Sequence, residues 1–130
     1  MTVGIDLVRV SRVAESLASF GERFLRRVFT DAEIAYANAT PELAAERLAA
    51  RFAAKEAAFK ALGLADQLPW REIEVTRAAS GACALSLHGA TREAADQAGV
   101  VDLAVSLSHE GDYATAVVLA RRQKEAAQPW

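Results

Sequence analysis

A carboxylate and an ammonium group one helical turn apart are the first side chains in this sequence that could do chemistry. Glu56 and Lys60 lie in a segment rich in Ala, Leu, Arg, Lys and Glu, which are strong helix formers. At about 100° per residue they share a helix face with Phe52, Phe59 and Gly63. Glu–Lys pairs at this spacing are common on solvated helices, so the pair alone favours an ordinary surface salt bridge over a catalytic one.

Asp6 is the second candidate, because it interrupts an apolar segment, residues 3–10, that is predicted to form a strand. Val3, Ile5 and Leu7 take one face, and apolar residues share the other face with Asp6, which predicts a mostly buried strand. An ionised carboxylate in such a place is costly unless it is paired or binds a metal. Two interpretations stay open: Asp6 meets an arginine or backbone N–H groups at a strand end, or it is a functional ligand.

The histidine and cysteine residues are weaker candidates for a functional site. His109 is predicted to lie in a turn, residues 109–112, where a lone histidine is most often simply solvated, and His88 is expected to be ordinary. Cys83 is the only cysteine, which excludes an intramolecular disulfide or a cysteine-based zinc site and predicts a small buried residue. The sequence contains no Gly-rich phosphate loop, no dinucleotide fingerprint and no nucleophile elbow.

Composition predicts a single soluble globular domain over residues 1–120, followed by a polar segment, residues 121–130, that is expected to fray. The 130 residues are 52% hydrophobic and 25% charged, and the net charge of −2 gives no support to nucleic-acid binding. No apolar run approaches the roughly 18 residues that a membrane crossing needs. Asp6 and Arg9 interrupt the segment where a secretory signal would be apolar, so a cytoplasmic location is expected.

The elements that must position these residues follow from local signals. The long helix is predicted from about Pro41 to Leu62, about 33 Å long, with Thr40 as its cap and Gly63 just past its end. Three shorter helices are predicted before it, starting at Ser11, at Glu22 and at a capping box over residues 30–33. A loop over residues 64–71, a hairpin of strands 72–77 and 82–87, a helix over 90–98, and a hairpin of strands 101–108 and 113–120 are predicted after it.

Charge is distributed unevenly along the chain. Residues 1–30 hold five Arg against three acids, a net charge of +2, so residues 31–130 carry −4. Either the basic segment is a solvated helix face, or it is a docking surface for an acidic partner.

Three segments of this chain, taken in order, resemble the signature blocks of the holo-acyl-carrier-protein synthases, the small 4′-phosphopantetheinyl transferases. They are Gly4-Ile5-Asp6-Leu7-Val8, Arg51-Phe52-Ala53-Ala54-Lys55-Glu56-Ala57 with Lys60-Ala61-Leu62-Gly63, and Val105-Ser106-Leu107-Ser108-His109. The resemblance extends from residue 3 to about residue 120. It implies an α+β fold in which a small antiparallel sheet packs on one long helix, and a homotrimer with active sites between neighbouring subunits.

The resemblance also implies a reaction. A serine hydroxyl of an apo acyl carrier protein attacks the phosphate of coenzyme A that bears the pantetheine arm, and 3′,5′-ADP leaves. Asp6 and Glu56 would hold a Mg²⁺ ion that also binds the pyrophosphate, as paired carboxylates commonly do. Glu56, directly or through a metal-bound water, would be the base, and Lys60 would neutralise pyrophosphate charge or protonate the leaving group. No enzyme nucleophile is needed.

Binding residues are implied in the same way. The coenzyme A contacts implied by the family pattern are Arg51, Lys60, Gly63, Ser108 and His109. Arg12, Arg23 and Arg27 resemble the basic positions that grip the acidic carrier protein, which can come from fatty-acid or polyketide synthesis.

The sequence departs from the family pattern at two places. Leu64-Ala65 replaces a Thr-Gly after the long helix, and Gly81-Ala82-Cys83 replaces a Gly-Lys-Pro, which removes a basic residue near the nucleotide. Two other functions remain possible from the sequence. One is a non-enzymatic docking module for carrier proteins, and the other is a metal-dependent phosphohydrolase that uses the same carboxylates and His109.

Overall fold

The computed structural model describes residues 1–64 and 69–123, and its first half is one strand followed by helices. No helix in this part of the chain has the length and apolar character that crossing a bilayer requires. The elements are β1 (Thr2–Arg9), α1 (Val10–Phe20), α2 (Glu22–Val28), α3 (Asp31–Asn38), a 3₁₀ turn (Pro41–Leu43) and α4 (Ala44–Leu62).

The second half is mainly antiparallel strand, as predicted. It contains a 3₁₀ turn (Trp70–Glu72), β2 (Ile73–Arg77), β3 (Cys83–Leu87), α5 (Gly89–Gln97), β4 (Val100–Glu110) and β5 (Tyr113–Arg122). The strands form two sheets instead of one: a three-stranded sheet in the order β1-β5-β4, and the β2-β3 hairpin.

Helix α4 is the centre of the core, because small side chains let other elements approach it closely. Seven of its alanines are buried, namely Ala49, Ala50, Ala53, Ala54, Ala57, Ala58 and Ala61. Strand β1 comes so near that a Cβ atom on Gly4 would lie 1.9 Å from the carbonyl oxygen of Ala57. A glycine is therefore required at this position for β1 and α4 to pack at their observed separation.

The predicted C-terminal end of the long helix is confirmed, and its predicted N-terminal end is wrong. Gly63 ends α4 with φ of +74°, a left-handed conformation that glycine adopts without steric cost. At the other end, the turn starting at Pro41 is 3₁₀ in type, α4 itself begins at Ala44, and the Thr40 side chain caps neither. The predicted capping box of α3 is confirmed, with both the Thr30 and the Glu33 side chains in place.

Other boundaries differ from the prediction because tertiary contacts decide them. Helix α1 begins before Ser11, whose N–H and hydroxyl donate to the carboxylate of Asp112 at 2.8 and 2.6 Å. Strand β4 continues through His109, so this residue pairs with Ala114 instead of lying in a turn. Arg121 belongs to β5, contrary to the predicted fraying from residue 121, and residues 124–130 of that segment lie outside the described residues. Residues 65–68 of the predicted loop also lie outside them.

Strand β1 is buried on one face only, so the prediction of a mostly buried strand is wrong. Gly4 and Val8 are buried against the helix, whereas Val3, Ile5 and Leu7 are each more than 60% exposed. The alternation arises because α4 covers one face of the three-stranded sheet and nothing in this chain's described residues covers the other at these positions.

Candidate active site

Strand β1 and helix α4 bring two of the predicted site residues into contact. The ammonium group of Lys60 donates to the carbonyl oxygen of Ile5 at 2.9 Å and to Oδ1 of Asp6 at 3.2 Å. Glu56 forms no ion pair within residues 1–64 and 69–123, so the predicted surface pair between Glu56 and Lys60 is wrong. Lys60 instead joins the strand to the helix, and its side chain remains 49% exposed.

Glu56 and Asp6 line one pocket of about 870 Å³. Partial burial raises the pKa of Glu56, the negative charge of Asp6 raises it further, and Lys60 acts in the opposite direction. Two carboxylates with one shared cation thus face the same space. Phe52 also lines this pocket, while Phe59, predicted on the same helix face, is fully buried in the core.

The backbone around Asp6 is fixed from both sides. The hydroxyl of Thr115 on β5 donates to the Asp6 carbonyl oxygen at 2.7 Å. The absent side chain of Gly4 lets β1 lie against α4, which sets the separation between Asp6 and Glu56. The Asp112 backbone carbonyl accepts from the N–H of Val10 at 2.8 Å, just where β1 passes into α1.

The donor set of this pocket suits a hard divalent cation. Two carboxylates contribute oxygen ligands, which Mg²⁺ prefers. Burial and the neighbouring Asp6 charge both raise the pKa of Glu56, so a bound cation would favour its ionised form. In the described part of the chain, no group of three or more His, Cys, Asp or Glu side chains could hold a metal. A cation bound by Asp6 and Glu56 would therefore take its other ligands from substrate phosphates and water.

Arg51 lines a second pocket, of about 810 Å³, that Asp6 and Glu56 do not line. Only 3% of Arg51 is exposed, its guanidinium carbon lies 4.1 Å from the centroid of the Tyr36 ring, and its buried Nε has no hydrogen-bond partner. His109 lines the same pocket, with Nδ1 3.0 Å from Oε1 of Glu46. The structure therefore brings Arg51 and His109 together but separates them from the carboxylate pair.

Ser108 and Gly63 are not placed in this second pocket. Adjacent residues of a strand point to opposite faces, so Ser108 points away from the face of β4 that carries His109. Cys83, predicted to be buried, is partly exposed and lines the second pocket. His88 lies 3.3 Å from Glu74.

The three arginines predicted to bind a carrier protein are exposed, and none has an ion-pair partner among the residues that the structure describes. Arg26, in the same helix as Arg23 and Arg27, instead contacts Glu22 at 3.1 Å and Asp31 at 3.2 Å. Arg12 lines the pocket of Asp6 and Glu56.

Arg23 and Arg27 line a smaller pocket of about 350 Å³ that also has aromatic walls. Those walls are Phe20, Phe24, Phe52 and Trp70. Phe52 lines both this pocket and that of the carboxylates, which makes the two neighbours on the surface.

Lys55 is the charged residue that the sequence analysis missed. It is fully buried, with its ammonium group 2.8 Å from Oε1 of Glu33 and 3.0 Å from the carbonyl oxygen of Trp70. A signal was available, because Lys55 shares a helical stripe with Ala58, Phe59 and Leu62, all of which are buried. A lysine within such a stripe predicts a buried partner.

Comparison with known proteins identifies the class. The model of the 4′-phosphopantetheinyl transferase superfamily matches residues 2–118, so the chain belongs to this superfamily. It is accordingly a transferase of the 4′-phosphopantetheinyl class, and the α+β fold and the resemblance noted in the sequence are confirmed.

The particular relatives are holo-[acyl-carrier-protein] synthases. The chain is 42% identical over 127 residues to the holo-[acyl-carrier-protein] synthase of Herpetosiphon aurantiacus, covering 92% of this chain and 97% of that one. It is similar to the ACPS–CoA complex of Chronobacterium ammoniagenes, with 40% identity, a TM-score of 0.85 and coverage of 95% and 98%. It also resembles the Helicobacter pylori holo-[acyl-carrier-protein] synthase in complex with coenzyme A, with 27% identity, a TM-score of 0.79 and coverage of 92% and 99%.

Proposed function

We propose that this protein is a Mg²⁺-dependent holo-acyl-carrier-protein synthase that acts in the cytoplasm, with residues 1–120 as its transferase domain. It transfers 4′-phosphopantetheine from coenzyme A to a serine of an apo acyl carrier protein of fatty-acid or polyketide synthesis, and releases 3′,5′-ADP. The observation that carries this proposal is the single pocket lined by Asp6 and Glu56, with Lys60 hydrogen-bonded to Asp6. The names of the relatives support the same reaction.

The residues divide the work of the transfer as follows. The serine oxygen forms a bond to the phosphorus that bears the pantetheine arm, and the bond from that phosphorus to the departing 3′,5′-ADP breaks. Glu56 accepts the serine proton, a role that its raised pKa favours. Lys60, half exposed beside Asp6, neutralises the charge that develops on the phosphate oxygens or protonates the leaving group.

Asp6 and Glu56 are the residues that would hold Mg²⁺ in this pocket. The bound ion would neutralise charge on the pyrophosphate of coenzyme A. Arg51 and His109 are proposed to contact the nucleotide end of coenzyme A in the second pocket. Gly63 and Ser108 are proposed to contact coenzyme A outside that pocket, Ser108 as the lesser contact. The exposed, unpaired state of Arg12, Arg23 and Arg27 in the described chain supports their proposed role in holding the carrier protein.

A homotrimer is proposed from the exposed face of the three-stranded sheet. Val3, Ile5 and Leu7 form an apolar stripe on β1, and Leu119 of the neighbouring β5 is 41% exposed. Contiguous apolar surface of this kind marks an interface, and further copies of the same chain fit it best, since an assembly can complete the site. The pocket of Asp6 and the pocket of Arg51 are separate within one chain. We therefore expect each active site to combine the Asp6 pocket of one subunit with the Arg51 pocket of its neighbour.

Mixed-subunit complementation tests this arrangement. An inactive Asp6→Asn variant mixed with an inactive Arg51→Gln variant should regain part of the transfer activity, because some sites then combine an intact Asp6 with an intact Arg51. Mixing either variant with itself is the control. A monomer by light scattering at the working concentration would contradict the trimer.

Product analysis tests the reaction itself. Mass spectrometry of an apo carrier protein incubated with enzyme, coenzyme A and Mg²⁺ should show the mass gain of one phosphopantetheine on its serine. Free phosphopantetheine with an unmodified carrier would support a phosphohydrolase. Binding of the carrier with neither product would support a docking module.

A further inference from the structure

Helix α1 is capped by a residue that lies 101 positions further along the chain than Ser11. Its own N-cap residue, Arg9, makes no side-chain hydrogen bond to the helix. Asp112, in the turn between β4 and β5, provides the cap instead. Its backbone carbonyl accepts from the N–H of Val10 at 2.8 Å, and its carboxylate accepts from the N–H and the hydroxyl of Ser11 at 2.8 and 2.6 Å. These bonds satisfy donors that a helix leaves free in its first turn, and the carboxylate faces the positive end of the helix dipole.

Few other contacts fix the position of α1. Val13 is the one buried residue of this helix, and Val10 and Leu17 are partly buried. Among residues 1–64 and 69–123, the two bonds between Ser11 and Asp112 are the only side-chain hydrogen bonds that join α1 to another element. An element that buries so little apolar surface is easily displaced or frayed, so the Asp112 contacts should have a large effect on where the first turn of α1 lies.

The first turn of α1 forms one wall of the pocket that the two carboxylates line. Arg12, directly after Ser11, lines this pocket, and so does Tyr113, directly after Asp112. Asp112 itself is exposed and does not line the pocket. The contact between Asp112 and Ser11 therefore joins two walls of the pocket, one from α1 and one from β5, without taking part in the pocket surface.

We propose that Asp112 is a positioning residue for carrier-protein binding. By holding the first turn of α1 against the start of β5, it keeps the guanidinium group of Arg12 at the pocket that the carrier serine enters. The inference rests on the proposed function, which assigns the acidic carrier protein to Arg12. It concerns geometry and not charge, because the negative charge of Asp112 by itself would repel an acidic partner. Loss of that charge alone would improve carrier binding, whereas loss of the positioning contact would weaken it.

Steady-state kinetics with the apo carrier protein and coenzyme A test the sign of this effect. Asp112→Ala should raise KM for the carrier protein by about tenfold, the effect of losing one charge-assisted contact through Arg12. The KM for coenzyme A and kcat should stay the same. Asp112→Asn should stay close to the parent, because its amide oxygen can accept from the Ser11 N–H and its NH₂ group can donate to the Ser11 hydroxyl. An unchanged or lowered KM for Asp112→Ala, or an equal rise for Asp112→Asn, would overturn the proposal.

Two further variants show whether the effect passes through the contact with α1. Glu110→Ala is the matched control, since Glu110 is an exposed acid of the same hairpin and its side chain makes no hydrogen bond to α1 in the described chain. Its KM for the carrier protein should not rise. Ser11→Ala should raise this KM less than Asp112→Ala does, and the double variant should match Asp112→Ala, because both substitutions remove parts of one contact. Additive effects of the two substitutions would contradict this route.

Two measurements that need no turnover separate this inference from the proposed reaction. Calorimetry of the enzyme with apo carrier protein should show similar affinity for the parent and Asp112→Asn and weaker affinity for Asp112→Ala, even if no carrier protein were modified. Hydrogen exchange of the free enzyme should show faster exchange of the α1 amide protons in Asp112→Ala, with those of α5 unchanged. Equal carrier affinity of the parent and Asp112→Ala, no binding by the parent, or unchanged exchange in α1 would contradict the proposal.

Discussion

Lys55 and Glu56 are neighbours in the sequence, yet α4 places them in opposite electrostatic surroundings. Lys55 is fully buried and has an ion-pair partner, Glu33, as well as backbone carbonyl acceptors. Glu56 is partly exposed, lacks a cation of its own in the described chain, and faces the pocket that Asp6 lines. The charge of Lys55 is neutralised within the protein, whereas the charge of Glu56 has no cation of its own among the residues that the structure describes.

The difference in burial and pairing distinguishes charged residues that stabilise the fold from charged residues that are available to bind a ligand. A fully buried ion must have its partners inside the protein, since the cost of an unpaired buried charge is several kcal/mol. A partly solvated carboxylate can remain near another carboxylate because water screens the pair. We therefore expect substitutions at Lys55 to act on stability and substitutions at Glu56 to act on activity.

Glu56→Gln should give the largest loss of activity. It removes both the proposed base and one proposed metal ligand at constant shape, and we expect transfer to fall by about 10²–10⁴-fold or more. The metal-free variant should be as stable as the parent or more stable. Glu93→Gln, an exposed carboxylate on α5, is the control. A destabilised Glu56→Gln protein with near-normal transfer would show that Glu56 is a structural partner and not part of the site.

The pH dependence of stability sharpens this prediction. A raised pKa means that the folded protein holds the Glu56 proton more tightly than the unfolded chain does. The free energy of unfolding that the parent gains from this tighter proton binding is fully present below the ordinary carboxyl pKa. It is lost as pH rises through the folded-state pKa of Glu56. The stability advantage of metal-free Glu56→Gln over the parent should therefore grow from acid to neutral pH in urea titrations. Mg²⁺ and coenzyme A together should raise the melting temperature of the parent and hardly that of the variant.

Lys55→Met should give the largest loss of stability. It leaves the carboxylate of Glu33 buried without its cation, which costs about 3–5 kcal/mol in the free energy of unfolding. Urea titration measures this loss, and the kcat of the remaining folded protein should change little. Glu33→Gln combined with Lys55→Met should recover part of the stability, because no buried charge is then unpaired. Full stability of Lys55→Met alone would contradict this role for the pair.

Lys60→Ala should lower kcat by about 10²-fold with little effect on stability, because it removes one charge-assisted contact to phosphate charge that develops during transfer. Lys60→Arg keeps the charge and serves as the comparison. The half-exposed contact with Asp6 contributes little to folding. Normal turnover of Lys60→Ala would reduce Lys60 to a link between β1 and α4.

Reversal of Arg23 and Arg27 to Glu should have the smallest effect among these. The KM for the carrier protein should rise on the order of tenfold at low salt, and its dependence on ionic strength should weaken, because attraction becomes repulsion. The KM for coenzyme A should not change. Arg26→Glu is the matched control on the same helix, since Arg26 already has acidic partners. An unchanged KM for the carrier protein across ionic strength would favour a merely solvated face.

Features with a local physical signal were predictable from the sequence. The capping box at Thr30, the glycine that ends α4 and the β2-β3 hairpin each follow from neighbouring residues, and the structure contains all three. The placement of Asp6 on a strand and Glu56 on a helix was predictable for the same reason. Their convergence on one pocket could be expected only from the family resemblance.

Features decided by contacts between distant segments were not predictable. Lys60 bonds to Asp6 instead of Glu56 because β1 lies within reach of the helix, 54 residues away in sequence. His109 lies within β4 because pairing with Ala114 extends the strand past the predicted turn. The exposed face of β1 carries apolar residues, and from the sequence of one chain such residues are expected to be buried in its own core.

The buried contact between Lys55 and Glu33 also bears on how the chain folds. Glu33 accepts from the backbone N–H groups of Thr30 and Val75 at 2.9 and 2.8 Å, and Lys55 donates to the carbonyl oxygen of Trp70. These groups come from α3, α4 and the segment around β2, so water cannot leave either charge before all three have docked. We therefore expect the three segments to unfold in one cooperative step, with their amide protons exchanging together instead of element by element.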